Sequence, residues 1–124
     1  MICHFILYVS DQAQSTDFYT KTLSQVPILN VPGMTEFKLA ENCILGLMPS
    51  NAIKKLLGDS IKHPEDAAGI PRAELYLRVS DPEKSFNIAI EAGGKLLSPF
   101  QERNWGSKVG YFSDPDGHII AFSN

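Results

Sequence analysis

Apolar positions alternate with polar or mixed ones along two well-separated stretches of the chain, and each alternation leads into a helical pattern. The runs "HFILYV" from His4 and "ELYLRV" from Glu74 both have the two-residue period of a half-buried strand. Phe5, Leu7 and Val9 share one face of the first, and His4, Ile6 and Tyr8 the other. Leu75, Leu77 and Val79 share one face of the second, and Glu74, Tyr76 and Arg78 the other. Each run ends in Val-Ser-Asp, and Val9 and Val79 are 70 residues apart. Asp11 and Asp81, or the serines before them, stand where a helix N-cap belongs, and Pro82 where a first helical residue belongs. Ala13, Phe18, Tyr19 and Leu23 lie broadly on one face of the first predicted helix. Phe86, Ala89, Ile90 and Gly93 follow the i, i+3, i+4, i+7 spacing of the second.

Three further strand patterns follow each helix. In the first half these are "VPILNV", "TEFKLA" and "CILGLM", with Pro32-Gly33 turning the chain between the first two. In the second half they are "KLLSPF", "GSKVGYF" and "HIIAF", with Asp114-Pro115-Asp116-Gly117 as a type I turn between the last two. The pattern therefore predicts an α+β domain over residues 1–124, made of two β-α-β-β-β modules at 1–49 and 73–124. Between them, Ser50–Arg72 reads as a linker. Its "NAIKKLLG" has the makings of a turn or two of helix, and "HPEDAAGIP" looks irregular. A connection this long is either functional, as a lid, or a passive spacer.

Composition narrows the function classes. A chain of 124 residues is one domain's worth of sequence. A net charge of -3 and the lack of any Lys/Arg cluster argue against nucleic acid, which needs a basic stripe. "FILYV" is far too short to span a bilayer, and no basic region precedes it, so neither membrane nor signal peptide is expected and the location expected is cytoplasmic. Cys3 and Cys43 belong to no CxxC pair. Both are expected as small, buried, apolar side chains in a reducing compartment.

The faces of the two first strands carry the candidate chemistry. The all-apolar faces suit packing beneath helices. If the sheets curl with helices outside, the mixed faces line a concave interior, and a polar-lined hollow is what a small-molecule site looks like. Glu74 and Arg78 would need partners or water there, or would pair with each other. His4 is either a hydrogen-bonded structural residue or a ligand.

The paired modules, the strand–VSD–helix starts and "NWGSKVGYFSDPDGHII" resemble the glyoxalase/bleomycin-resistance/dioxygenase group, the vicinal oxygen chelate superfamily. The resemblance covers nearly the whole chain. It implies modules that curl into half-open cups and complete a pocket, commonly across a homodimer. It also implies, for the enzymes, a divalent metal (Ni, Zn, Mn or Fe) held by side chains from the first and last strand of each module, polarising substrate oxygens. The first-strand positions fall on His4 and Glu74. The acidic ligand of the last strand comes four residues after the turn glycine, and four after Gly117 is Ala121. Aligning "EFKLAENCILGL" with "GYFSDPDGHIIAF" puts Gly46 at the equivalent place in module one.

Neither Gly46 nor Ala121 has a donor atom, and two ligands are too few for a tight divalent site. The resemblance therefore points to the bleomycin-resistance branch, which binds a molecule without chemistry. The expected pocket holds His4, Ile6, Tyr8, Gly46, Glu74, Tyr76, Arg78, Trp105 and Ala121. Trp105 would stack on a planar ligand or serve as a core or rim aromatic. No catalytic residue and no cofactor is expected beyond a weak divalent metal at His4 and Glu74. The alternative is a metal-dependent lyase, isomerase or dioxygenase.

Overall fold

Asp11 and Asp81 make the caps that start the two main helices. The Asp11 carboxylate accepts from the Gln14 amide at 3.0 Å, and the Asp81 carboxylate from the Lys84 amide at 3.3 Å. In the computed structural model, which describes residues Met1–Asn124, the first module runs β1 (Cys3–Val9), α1 (Gln12–Thr22), β2 (Leu29–Val31), β3 (Met34–Ala40) and β4 (Cys43–Pro49). The second runs β5 (Glu74–Arg78), α3 (Pro82–Glu91), β6 (Lys95–Glu102), β7 (Lys108–Ser113) and β8 (Ile119–Ser123). The sheet orders are β1-β4-β3-β2 and β5-β8-β7-β6. In each sheet the first strand pairs in parallel with the last, and the remaining pairs are antiparallel.

One core holds both modules. Leu7, Val9, Phe37, Leu45 and Leu47 of the first sheet cluster with Phe112, Ile120 and Phe122 of the second and with Phe18, Tyr19, Phe86 and Ala89 of the helices. The Phe18 and Phe112 rings meet across the modules, with centroids 6.4 Å apart. The helices thus cover most of the apolar faces, as the alternation predicts, and leave the mixed faces open, but Phe5 stays exposed.

The structure departs from the sequence pattern in particulars. Ala13 is exposed, because the buried stripe of α1 runs through Ser15, Phe18, Tyr19 and Thr22. Gly93 lies beyond α3 at φ +109, ending the helix rather than packing on its face. Strand β2 is only Leu29–Val31, and Val26 and Ile28 before it are exposed. The linker contains the helix that "NAIKKLLG" predicts, but it is also ordered within "HPEDAAGIP", which reads as irregular. It forms α2 (Ser50–Leu57) and two 3-10 turns, Gly58–Ser60 and Pro64–Ala67, the second begun by the His63 ring accepting the Glu65 amide. The cysteines are not core residues. Cys3 is exposed and Cys43 half-buried, because each is the first residue of its strand at a corner of the sheet, while Leu7 and Leu47 farther along are buried.

Candidate functional site

On the open face of module one, Ile6, Gly46 and Glu36 form one row across β1, β4 and β3. Gly46 is closely enclosed: a Cβ there would sit 3.0 Å from Ile6 Cγ1 and 3.2 Å from Met34 Sδ. With no side chain in the middle strand, Glu36 reaches over it towards β1, and its Oε1 lies 3.5 Å from His4 Nδ1. The open face of module two repeats this layout. Tyr76, Ala121 and Tyr111 form the matching row across β5, β8 and β7. Ala121 is fully buried between the two tyrosines. Burial pushes the Tyr111 hydroxyl above the usual tyrosine range, and the nearby Glu74 charge adds to the shift. In both modules a third-strand polar side chain therefore approaches the first-strand residue beside a small last-strand residue.

The remaining predicted residues are held individually. The Tyr76 hydroxyl donates to Ser123 Oγ at 2.8 Å. Arg78 Nε donates to the Asn124 carbonyl at 3.1 Å, and no ion pair joins Arg78 to Glu74. Trp105 is 56% exposed between β6 and β7, so it is not a core aromatic.

His4 and Glu74 make no ion pair and belong to no shared ligating cluster, for His4 turns to Glu36. The one group of three His, Cys, Asp or Glu residues within ligating range is Asp114, Asp116 and His118, whose ligand atoms lie within 4.8 Å of one another. These atoms already have partners. Asp114 Oδ2 accepts from the Tyr19 hydroxyl at 2.7 Å and meets His118 Nδ1 at 2.8 Å. Asp114 Oδ1 accepts from the amides of Asp116 and His118 at 3.0 and 2.8 Å. Asp116 accepts from the Ser10 amide at 2.8 Å and the Ser15 hydroxyl at 3.3 Å. Both oxygens of Asp114 already accept two bonds each, so a divalent ion would have to displace one of them, and the trio does not offer three free ligands. It is a staple that fastens the last turn of module two to the start of α1. Burial alone would lower the His118 pKa, but the hydrogen bond and charge of Asp114, with Asp116 behind it, raise it above the ordinary histidine value. Burial and Asp114 hold the Tyr19 hydroxyl well above its usual range, so it stays a donor.

A cavity of about 610 Å³ opens between the edge strands β1 and β5, walled on one side by the linker. It is within the size range of small-molecule sites. Ile6, Tyr8 and Glu74 line it, together with Lys62 and Arg72 of the linker and His118 of the staple. His4, Gly46, Tyr76, Arg78, Trp105 and Ala121 do not. Strands β1 and β5 are edges of separate sheets, so the space next to both is the seam rather than the middle of either open face. Sequence reasoning missed Lys62 and Arg72, for which only the length of the linker was a signal, and did not place His118, beside the Asp114–Gly117 turn, at the cavity. It also missed Glu36 and Tyr111, which the two-residue period and the position of Gly46 and Ala121 were enough to find.

The family model of the Glyoxalase/Bleomycin resistance protein/Dioxygenase superfamily matches residues 1–122. The chain belongs to this superfamily. An uncharacterized protein of Mycobacterium bovis is 28% identical over 116 residues, covering 90% of this chain and 75% of that one. The uncharacterized protein YraH of Bacillus subtilis is 27% identical over 117 residues, covering 92% and 90%. The crystal structure of a glyoxalase-related enzyme from Fulvimarina pelagi superposes with a TM-score of 0.83 at 21% identity, covering 99% of this chain and 86% of that one. At that identity the likeness is one of fold. The superfamily's paired modules account for the repeated Val-Ser-Asp starts and for the two sheets with a parallel first–last strand pair.

Proposed function

We propose that this superfamily member binds a small organic molecule, as a bleomycin-resistance protein does, rather than transforming one. The observation that carries the reading is the cavity at the β1–β5 seam, with an apolar wall from Ile6 and Tyr8 and charged groups from Lys62, Arg72 and Glu74. The last-strand positions support binding over metal chemistry, since Gly46 and Ala121 offer no donor and both are tightly packed. Ile6, Tyr8, Leu29 and Val31 lie exposed on module one, and this supports a homodimer in which a second copy covers them. The protein acts in the cytoplasm on this reading, with no nucleic-acid or membrane partner.

A thermal-shift screen of planar cationic drugs and small oxyacids tests the proposal. A binding compound raises the melting temperature by several degrees at a concentration well above its Kd. Ala68→Trp, which places an indole in the cavity wall, abolishes that rise. A rise that is unaffected by Ala68→Trp puts the site elsewhere.

The second reading, a divalent-metal lyase, isomerase or dioxygenase, gains from one observation: Glu36 stands beside His4 and supplies a carboxylate that the last strand lacks. Titration with nickel, zinc or manganese separates the two. Stoichiometric micromolar binding that Glu36→Gln weakens favours the metal reading, and its absence favours the binder.

A further inference from the structure

The two cysteines are direct partners. In the parallel pairing of β1 with β4, Cys3 stands opposite Cys43, so both side chains leave the same face of the sheet from adjacent strands. Adjacent strands lie about 4.8 Å apart, and that spacing falls inside the Cα range that a disulfide spans. In a parallel pair the Cβ atoms stay about as far apart as the Cα atoms, slightly wider than an ordinary disulfide, about 3.8 Å, prefers. Closing the bond therefore requires the strands to pinch. Here they have room to do so. Cys3 and Cys43 are each the first residue of a strand, and the β3–β4 pairing is already irregular between Lys38 and Ala40. Cys3 is exposed and Cys43 half-buried, so one sulfur is open to a reagent and the other waits beside it.

The geometry points to a reversible dithiol–disulfide site at Cys3 and Cys43, with a hydroperoxide as oxidant. The exposed Cys3 thiolate attacks one peroxide oxygen. An S–O bond forms, the O–O bond breaks, and the departing hydroxide or alkoxide takes up a proton. Cys3 is then a sulfenic acid. The Cys43 thiolate next attacks the Cys3 sulfur, the S–S bond forms, the S–O bond breaks, and water leaves after protonation. Two thiols are oxidised by two electrons and one peroxide is reduced. A bond closed under strain has a more oxidising potential than a structural disulfide, so thiols of the glutathione type reopen it. This site is on the face opposite His4 and Glu36 and does not depend on the ligand-binding reading.

Intact mass measurement of the full chain tests the site. Reduced protein treated with hydrogen peroxide and then alkylated under denaturing conditions is expected to lose about 2 Da and to take up no alkyl group. Excess glutathione is expected to restore two alkylatable thiols. Cys43→Ser is expected to trap a Cys3 sulfenic acid that dimedone labels, and Cys3→Ser to slow oxidation of the remaining thiol at least tenfold. Over-oxidation of Cys3 while Cys43 remains alkylatable overturns the inference. Disulfide-linked dimers in place of the intrachain bond overturn it as well.

Discussion

The Tyr19 hydroxyl is a sensitive probe of how the modules are fastened together. Tyr19→Phe keeps the ring, and with it the edge contact to Phe18 at 5.1 Å and the contact to Phe37 at 6.4 Å. It removes only the 2.7 Å bond to Asp114, whose side chain has no exposure, so water does not take the place of the hydroxyl. A hydrogen bond to a charged group contributes about 1.5–3 kcal/mol, and about 2 kcal/mol is a fair value for one this buried. Unfolding entropy of about 2.1 cal/mol/K per residue over 124 residues makes each kcal/mol equal to about 4 °C. The variant is thus expected to melt about 8 °C lower. Circular dichroism melts and urea titrations measure both quantities, with Tyr8→Phe as the control because Tyr8 is an exposed residue. A Tyr19→Phe protein within about 0.5 kcal/mol of the parent would show that the staple does not hold the modules together.

Three other outcomes are expected. His118 has a folded pKa above its unfolded value of about 6.5, so its protonation stabilises the fold below that value, and the contribution is lost as pH rises through the folded pKa. The urea midpoint of the parent minus that of His118→Gln should therefore shrink from about pH 6 to about pH 9; a constant difference contradicts the assignment. Gly110→Ala places a Cβ 2.6 Å from the Phe86 ring, and the overpacking should cost about 3 kcal/mol in a urea titration. Thr22 Oγ1 is buried without a partner, so Thr22→Val should leave stability unchanged or raise it by about 1 kcal/mol in the same assay.

The strand–cap–helix starts were legible because they are local. Alternation, an aspartate and a proline suffice to place β1, α1, β5 and α3, and the repeat of that pattern gave the two modules. The small residues at 46 and 121 were legible too, since counting from a turn locates them. Contacts between elements distant in the chain were not. Asp114 and Asp116 read as turn formers, and nothing near them in sequence shows that their free oxygens reach Tyr19, Ser10 and Ser15. Glu36 is a case between the two, since its strand face follows from the two-residue period but its approach to His4 follows only once Gly46 is set beside it. The cysteines read as core residues because strand interiors bury them, and only the position of each at a strand start places them at a sheet corner. The linker helix was legible in "NAIKKLL", whose Ile53 is buried, but the Pro64–Ala67 turn was not, because it depends on the His63 ring reaching the Glu65 amide.

The staple also sets an order for folding. The Ser10 amide and Asp116 are 106 residues apart, and Tyr19 and Asp114 are 95 apart. During synthesis, the first helix emerges long before the turn that completes its surroundings. Tyr19 can meet Phe37 early, but the Phe18 contact with Phe112 and the Tyr19 bond to Asp114 must wait for nearly the entire chain. A chain that stops short of Asp114 leaves the Phe18 and Tyr19 rings without the last hairpin, and quality-control proteases meet it as an open sheet with a loose helix.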